Sequence, residues 1–443
     1  MARAKKETAL TPEERLQAAL VPDWEWPYKL PENWCWVYAP HIFDIEYGKG
    51  LPTKQLSYTG YPVFGANGQI GFYSEYMYKE PQALMSCRGA YSGTMNKSLP
   101  YSYVTSNSLI ISSPRGLMGT DCIYYLFSAL NVSELISGTA QPQVTVQAFD
   151  GFPIPLSPLA EQQRIVDHIE SLFAKLDEAK EKAQAVADSF ETRKAAILHK
   201  AFTGELTAKW REEHGVGMES WEQCSLSDVC TVNPKKADTK DLPDELEVSF
   251  FPMSALSEIY GEITDPQTRL FKEVRSGFTN FSEGDVVFAK ITPCMENGKS
   301  AVVGKLVNDI GYGTTEFFVL RCSDRLYNRF LYHLVRDKLF RDKAKAVMAG
   351  AVGQQRVPKR YLETYKLNLP KFNEQREIVR ILDGSFAKEQ QTKEAAEAVL
   401  DQIDLMKKSI LARAFRGELG TNDPSEESAA ELLKQYFKSE VNT

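Results

Sequence analysis

The sequence predicts an α+β protein in which two globular α/β domains are separated by an antiparallel coiled coil of two long helices, related by a pseudo-two-fold. Three observations predict it. Residues 161–206 align without a gap on residues 374–419, and 21 of the 46 pairs are identical. Within the first copy, apolar residues recur at Ile165, Ile169, Leu172, Leu176, Ala179, Ala183, Val186 and Phe190, at alternating steps of 4 and 3. That is a heptad seam, and a seam of such length needs a partner helix. Finally, two stretches of similar length flank the first copy, and they open alike and end alike while their interiors share little.

The elements follow in order. Residues 1–30 form an N-terminal helical extension, in which Thr11, Pro12 and Glu14 give a cap, a first-turn proline and a capping box. Residues 31–156 form the first globular domain, with turn signals at 65–68 and 113–116 and short buried elements at 108–112 and 123–126. It holds 12 of the chain's 20 tyrosines, as core packing or as a polar-aromatic surface. Residues 157–204 form the first long helix, about 65 Å if continuous, capped by Ser157 and stopped by Gly204. Residues 205–218 are a linker and residues 219–369 the second globular domain. Residues 370–417 form the second long helix, capped by Asn373, with Ile378, Leu382, Ala396, Val399, Ile403, Met406 and Ile410 on the matching seam. Ser385, Glu389 and Thr392 interrupt that seam, so it should pack less well or bend there. A tail, 418–443, carries a last helix capped at 423–426 and running to about Phe437. Two copies are too few for a solenoid and suggest instead two similar faces presented to something bipartite.

Composition is that of a soluble globular protein, with 43% hydrophobic and 25% charged residues. No run of 18 apolar residues occurs, and no apolar core follows the basic start, so neither a membrane span nor a secretory leader is expected. The seven cysteines are scattered without a C-x-x-C pair, which predicts reduced thiols, a cytoplasmic location and no metal site. The net charge of −7 predicts no polyanion partner by itself. Residues 31–155 hold 6 Lys+Arg against 8 Asp+Glu, and residues 219–369 hold 21 against 21. Any nucleic-acid contact must therefore come from a local face, or a partner must carry much of the phosphate load.

The motifs of catalysis are missing. There is no N/D-P-P-Y/F loop for amino methylation, and Asn233-Pro234-Lys235 lacks the second proline and the aromatic. No G-x-x-x-x-G-K-S/T loop is present for ATP hydrolysis and no H-E-x-x-H for zinc. His168 and His199 read as surface or seam residues of the first long helix. The acidic run 241–247 lacks the lysine of a nuclease centre. No catalytic or metal-binding residue is assigned. Two segments read as binding surfaces, 85–93 and 284–299, each a strand entering a glycine-containing turn with polar and charged side chains. Arg and Lys there can reach guanine edges or phosphates, and Asn or Gln can pair with adenine. Ordinary strand-turns with surface charges remain the alternative for both.

Leu156-Ser-Pro-Leu-Ala-Glu-Gln-Gln-Arg-Ile-Val166 and its echo Leu369-Pro-Lys-Phe-Asn-Glu-Gln-Arg-Glu-Ile-Val379 carry a family likeness: over nearly its whole length the chain resembles the DNA-specificity subunit of Type I restriction-modification systems. The likeness continues through Ala201-Phe-Thr-Gly-Glu-Leu206 and Ala414-Phe-Arg-Gly-Glu-Leu419, and through 284–299, which is similar to that family's recognition-domain signature. The Arg88 turn of the first domain matches that signature only loosely. The resemblance implies two target recognition domains, each reading one half of a split site in double-stranded DNA, and helices that set their spacing. It implies a subunit without catalysis that scaffolds two methyltransferase subunits, joined by restriction/translocase subunits, and no membrane. S-adenosylmethionine, ATP and Mg are then expected on the partner subunits and no cofactor on this chain. Candidate DNA contacts are Arg88, Lys97, Gln141 and Gln143 in the first domain, and Lys290, Asn297, Lys299, Gln354, Gln355 and Arg356 in the second. The rival reading is a structural coiled-coil protein that bridges two partners and has no sequence preference on DNA. A single-chain methyltransferase-nuclease is the other rival, and the missing cofactor loop speaks against it.

Overall fold

The computed structural model describes residues 11–235, 241–258, 261–351 and 353–441. The basic run at the start of the chain lies outside them. The chain divides into two compact units, one of residues 1–183 with 398–443 and one of residues 184–397. Both are mixed helix and sheet, with helical segments joining the globular parts.

In the first unit a four-stranded antiparallel sheet runs in the order Asp44–Tyr47, Ser108–Ser112, Ala83–Ser86, Met95–Lys97. Every residue of Ala83–Ser86 is buried, so this strand is covered on both faces. The helix Thr120–Ala129 covers it through Cys122, Ile123, Leu126 and Phe127. A smaller three-stranded sheet joins Tyr61–Gly65 to Gly68–Tyr73 and Tyr103–Val104. The first strand of the domain, Cys35–Tyr38, pairs antiparallel with the last, Pro153–Leu156. The second unit repeats this closure with Glu222–Ser225 on Lys366–Leu369. Its two four-stranded sheets centre on Phe317–Cys322 beside Val286–Ala289, and on Glu247–Phe251 beside Gly311–Gly313.

Closing first strand on last brings an indole and a carboxylate together in each unit. Glu161 is fully buried at the start of its helix and accepts hydrogen bonds from Trp34 Nε1 (2.7 Å), Asn422 Nδ2 (2.8 Å) and Thr421 Oγ1 (3.2 Å). Its repeat counterpart Glu374 accepts from Trp221 Nε1 (2.9 Å), Thr207 Oγ1 (2.7 Å) and Arg211 Nη1 (2.7 Å). The next residue in each copy bolts the helix to the domain. Gln162 Nε2 donates to the carbonyls of Leu117 (3.0 Å) and Ser157 (3.1 Å). Gln375 Nε2 donates to those of Arg325 (2.8 Å) and Pro370 (2.9 Å), and its Oε1 accepts from Tyr327 N (2.7 Å). The glycines that end the repeat complete the arrangement. Gly204 and Gly417 have φ of 84° and 72°. A Cβ on either would meet Met218 Sδ at 2.6 Å or Pro31 Cγ at 2.3 Å, three residues before each indole.

The expected linker 205–218 is therefore built structure. It holds a 3₁₀ turn, Glu205–Thr207, and a short helix, Ala208–Glu213, whose Arg211 is buried. The tail has the matching task in the first unit. Asp423 does not cap the last helix. Its carboxylate holds Ser425 N (3.0 Å) and Oγ (2.7 Å), while Glu426 pairs with Arg164 (2.8 Å). The helix is Ala429–Val441, with Ser428 Oγ accepting from Glu431 N (3.3 Å). It buries Leu433 and Phe437 and packs against Pro12–Ala19, where Arg15 sits 5.0 Å over the Phe437 ring. Pro12–Ala19 has the full capping box of Thr11 and Glu14.

The long helices depart from expectation in detail. The segment 157–204 is two helices, Leu159–Asp188 and Phe190–Thr203. Ser189 breaks it because its hydroxyl back-bonds to the carbonyls of Ala185 (2.8 Å) and Val186 (3.1 Å), and Arg193 takes the latter too (3.1 Å). Neither expected cap is used. Gln162 N reaches Pro158 O (3.1 Å), so Ser157 lies outside the helix, and Gln375 N reaches Lys371 O (3.1 Å), so Asn373 lies inside the helix Phe372–Ala414.

Pairing is antiparallel in each unit. In the first, Asp177 meets Lys407 (2.5 Å) and Lys180 meets Asp404 (2.9 Å). In the second, Arg193 meets Glu389 (2.7 Å), and Lys393 lies 5.1 Å over Phe190. Ile165, Ile169, Ile403, Phe190, Ile378 and Leu382 are buried, and Leu172, Leu176 and Ile410 are half-buried. Met406 is 50% exposed and lies off the seam, and Val186 and Val399 are not seam residues: they are 36% and 41% exposed. Alanines flank both (183, 185 and 187; 395, 396 and 398) and supply too little side chain to cover a valine. Glu389, expected to weaken the seam, is instead held by Arg193. His168 and His199 are exposed.

Two predictions follow from the clamps and the core. Glu374→Ala leaves Arg211 buried without its carboxylate and should cost about 3–5 kcal/mol. Glu161→Ala orphans neutral donors and should cost about 1–3 kcal/mol. Urea unfolding of the two variants checks that order. In the second unit, buried His333 Nε2 donates to Asp383 Oδ1 at 3.0 Å. Burial pushes His333 below its ordinary 6.5. Burial also acts to raise Asp383, but its bonds from His333 and Arg329 outweigh that and lower it. The folded chain thus resists protonation that the unfolded chain accepts, so the His333 contribution is whole above about pH 6.5 and is lost as pH falls. His333→Gln should flatten the stability difference between about pH 5 and 7, measured by thermal melts across that range.

Candidate nucleic-acid interface

In both units a buried strand runs into a polar turn, and a segment near the end of the globular domain, ahead of its closing strand, folds back onto that turn. In the first unit Ala83–Ser86 leads to Arg88. Gly89 N and Ser92 Oγ donate to Pro142 O (2.9 and 2.8 Å), Val144 N donates to Cys87 O (3.1 Å), and Arg88 and Gln143 form a bridge. Gly138, with φ of 82°, turns the short hairpin Ile136–Ser137 and Gln143–Val144. The exposed side chains of Arg88, Tyr91, Gln141 and Gln143 are thus carried on one pair of touching loops. Lys97 is not with them. It lies opposite Ala83 and pairs with Asp121 at 2.6 Å. Arg88 is five residues further along, about 16 Å of extended chain.

In the second unit Val286–Ala289 leads to Lys290, and the loop 291–297 meets 349–356. Thr292 N donates to Gln355 O (3.0 Å), Gln355 N to Thr292 Oγ1 (3.2 Å), and Val357 N to Lys290 O (2.9 Å). Arg356 is bridged to both Ile291 and Ala349. Its guanidinium grips Glu316 by two nitrogens, Nε at 3.0 Å and Nη2 at 2.9 Å. That bond holds the Glu316 carboxyl below its usual range. Lys290 Nζ stands 5.7 Å over the Phe318 ring. Lys290, Gln354, Gln355 and Arg356 therefore share one site. Asn297 and Lys299 do not face it. Asn297 Nδ2 donates to Glu258 Oε1 (3.1 Å), and Lys299 donates to Met253 O (3.3 Å) with Glu258 at 3.7 Å. Lys299 is a fastening for the 253–258 loop, and its side chain is only 15% exposed.

Sequence reasoning missed Glu316, Ser92 and Thr292. Ser92 and Thr292 lay inside the quoted segments without a role. Glu316 carried no signal, since it reaches Arg356 only through strand pairing. The acidic run 241–247 resolves into surface pairs, Asp244 with Arg275 (2.7 Å) and Glu245 with Lys272 (3.8 Å). Asn233 is structural, its side-chain oxygen accepting from Val319 N at 3.0 Å. No described helix is long and apolar enough to cross a membrane.

Comparison with known proteins agrees with this layout. The family model described as the Type I restriction modification DNA specificity domain matches twice, over residues 31–186 and 218–399. The chain is 31% identical over 265 residues to the Type I restriction enzyme EcoEI specificity subunit of Escherichia coli, and equally so to the EcoAI subunit. Each of those matches spans 50% of this chain and 44% of the relative. The EcoDI specificity subunit matches over 93% of this chain and 96% of its own length at 21% identity. Among solved structures, a chain from work on complex assembly and conformational transition of the type I R-M system superposes with a TM-score of 0.64. The HsdS subunit from Thermoanaerobacter tengcongensis superposes with 0.56. Both are 20% identical and cover 89% of this chain and all of theirs, which shows a shared fold.

Proposed function

The chain belongs to the Type I restriction modification DNA specificity family, and from that premise we propose that it supplies sequence specificity to a restriction-modification complex. Each unit reads one half of a bipartite site in double-stranded DNA, and the paired helices set the gap between halves. The observation that carries this reading is the repetition of one device in both units: a buried strand, a polar turn, and a second loop laid on it ahead of the closing strand. Methyl transfer and cleavage then belong to partner subunits, two methyltransferase chains and a restriction/translocase chain, which bring S-adenosylmethionine, ATP and Mg. Support for a non-catalytic role is the lack of methyltransferase and nucleotide-binding motifs in the sequence. The bridging-protein rival gives no reason for two polar loop pairs in matching places.

Mapping methylated bases in host DNA with and without the gene tests the reading directly. A split motif should vanish on deletion, and an unchanged methylation pattern would sink it. The loops make a narrower prediction. Arg88→Ala and Lys290→Ala each remove a cation at the turn. Each should weaken binding to all sequences and lower the slope of log K against log salt by about 1. Gel shifts of the full complex at several salt concentrations check this. The spacing role is tested by lengthening the paired helices together. Insertion at 205–211 would instead break the Glu374 clamp, because Thr207 and Arg211 belong to it. Four residues added to both Leu159–Asp188 and Phe372–Ala414 lengthen each by about 6 Å. The recognised gap between half-sites should change, and an unchanged gap refutes the spacing role.

A further inference from the structure

Arg356 is held unlike any other candidate contact. A guanidinium has five N–H donors. Three are engaged: Nε and Nη2 with Glu316, and Nη1 with the Gln354 carbonyl at 2.8 Å. One N–H is left on each terminal nitrogen, and the side chain is still 42% exposed. Its backbone is fixed as well, by hydrogen bonds with Ala349 in both directions at 2.9 and 3.0 Å. An arginine gripped along one edge has given up its reach and kept a two-pronged donor pair in a set direction.

That arrangement is poorly suited to a phosphate. Phosphate contacts gain chiefly from net positive charge and counterion release. Glu316 cancels the charge of Arg356, so the couple brings little of either. It is well suited to a base edge. Guanine presents two acceptors in the major groove, O6 and N7, and two parallel N–H groups span them. Adenine presents one acceptor and one donor there, and the donor would oppose an N–H. Arg88 differs: among the described residues no side chain partners it, so it is free to follow a backbone phosphate.

We propose that Arg356 reads a guanine in the half-site bound by the second unit, with Glu316 as the positioning residue that aims it. The proposal rests on the DNA-reading function above. It is tested by selecting bound sites from a randomised DNA library with the full-length chain assembled with its methyltransferase subunits. Arg356→Lys keeps the charge and loses the fork. One guanine position of the second half-site should become degenerate, losing discrimination of about 5- to 150-fold, while the first half-site is unchanged. Glu316→Gln frees the arginine and its charge. It should loosen the same position and steepen the salt dependence by about one unit, and it serves should Arg356→Lys fail to fold. Uniform weakening with an intact motif would make Arg356 a phosphate contact and overturn the proposal. An intact motif at full affinity would make the pair purely structural, with the same consequence. A wild-type complex that selects no motif at all overturns the DNA-reading function itself, whereas a motif altered at no guanine overturns this inference alone.

Discussion

The fold depends on one buried bond, made twice: an indole N–H given to a carboxylate at the first turn of a long helix. Burying a carboxylate is costly unless its oxygens are fully occupied. Glu161 and Glu374 meet that requirement by drawing donors from three places each. One is the opening of the globular domain, Trp34 or Trp221, and the others lie in the stretch that follows a repeat, Thr421 and Asn422 or Thr207 and Arg211. Glu161 therefore ties three distant parts of the sequence into one joint, and Glu374 ties the start of its helix to the stretch 207–221. The joint also explains why the first unit takes both ends of the chain: the tail does there what the segment 205–218 does in the second unit.

The joint and the polar loops are mechanically continuous within each unit. The strand that enters the helix is paired to the strand that directly follows the indole. The loop that lies on the polar turn is joined to that entering strand through one short helical segment, Val146–Phe149 or Lys359–Thr364. Anchoring the helix start thus anchors the loops. Away from the joints the seam is thinner. Phe190 is stacked under two lysines and Glu389 is locked to Arg193, whereas Val186 and Val399 lie open. Alanine in a seam keeps helices close but contributes little buried area, so specificity of register there falls to ion pairs such as Lys180 with Asp404.

Much of this was legible in the residues because repetition acts as an internal alignment. Identity at Glu161/Glu374 and Gln162/Gln375 marked polar positions that a solvated helix face would have let drift. Trp34 and Trp221 were legible only as a shared domain opening, and their bonds to those acids were not. The seam was legible from its period. What was not legible depended on competition between hydrogen-bond partners. Ser157, Asn373 and Asp423 are all good caps in isolation, but none is used: the Ser157 carbonyl takes the Gln162 side chain, Asn373 is carried inside the helix, and Asp423 is turned toward Ser425. Ser189 carries no composition signal that separates a break from an ordinary helical serine. At the interface, loop partners such as Arg88 and Gln143 could be guessed from the way both domains end. The diversion of Lys97, Asn297 and Lys299 to Asp121 and Glu258 could not, because those acids lie far away in sequence.

Charge is where sequence and structure pull against each other most clearly. A chain of net charge −7 is repelled by DNA at long range, so attraction must be local or shared with partners. Local cations serve in two ways. On the proposed function, an unpartnered one such as Arg88 would add affinity without preference. On the reading proposed above, an arginine neutralised by an acid, such as Arg356 on Glu316, would add preference with little affinity, because its remaining donors are aimed before the duplex arrives. The even balance of 21 cations and 21 anions in residues 219–369 is then compatible with base reading, since an acid beside an arginine subtracts charge and supplies aim.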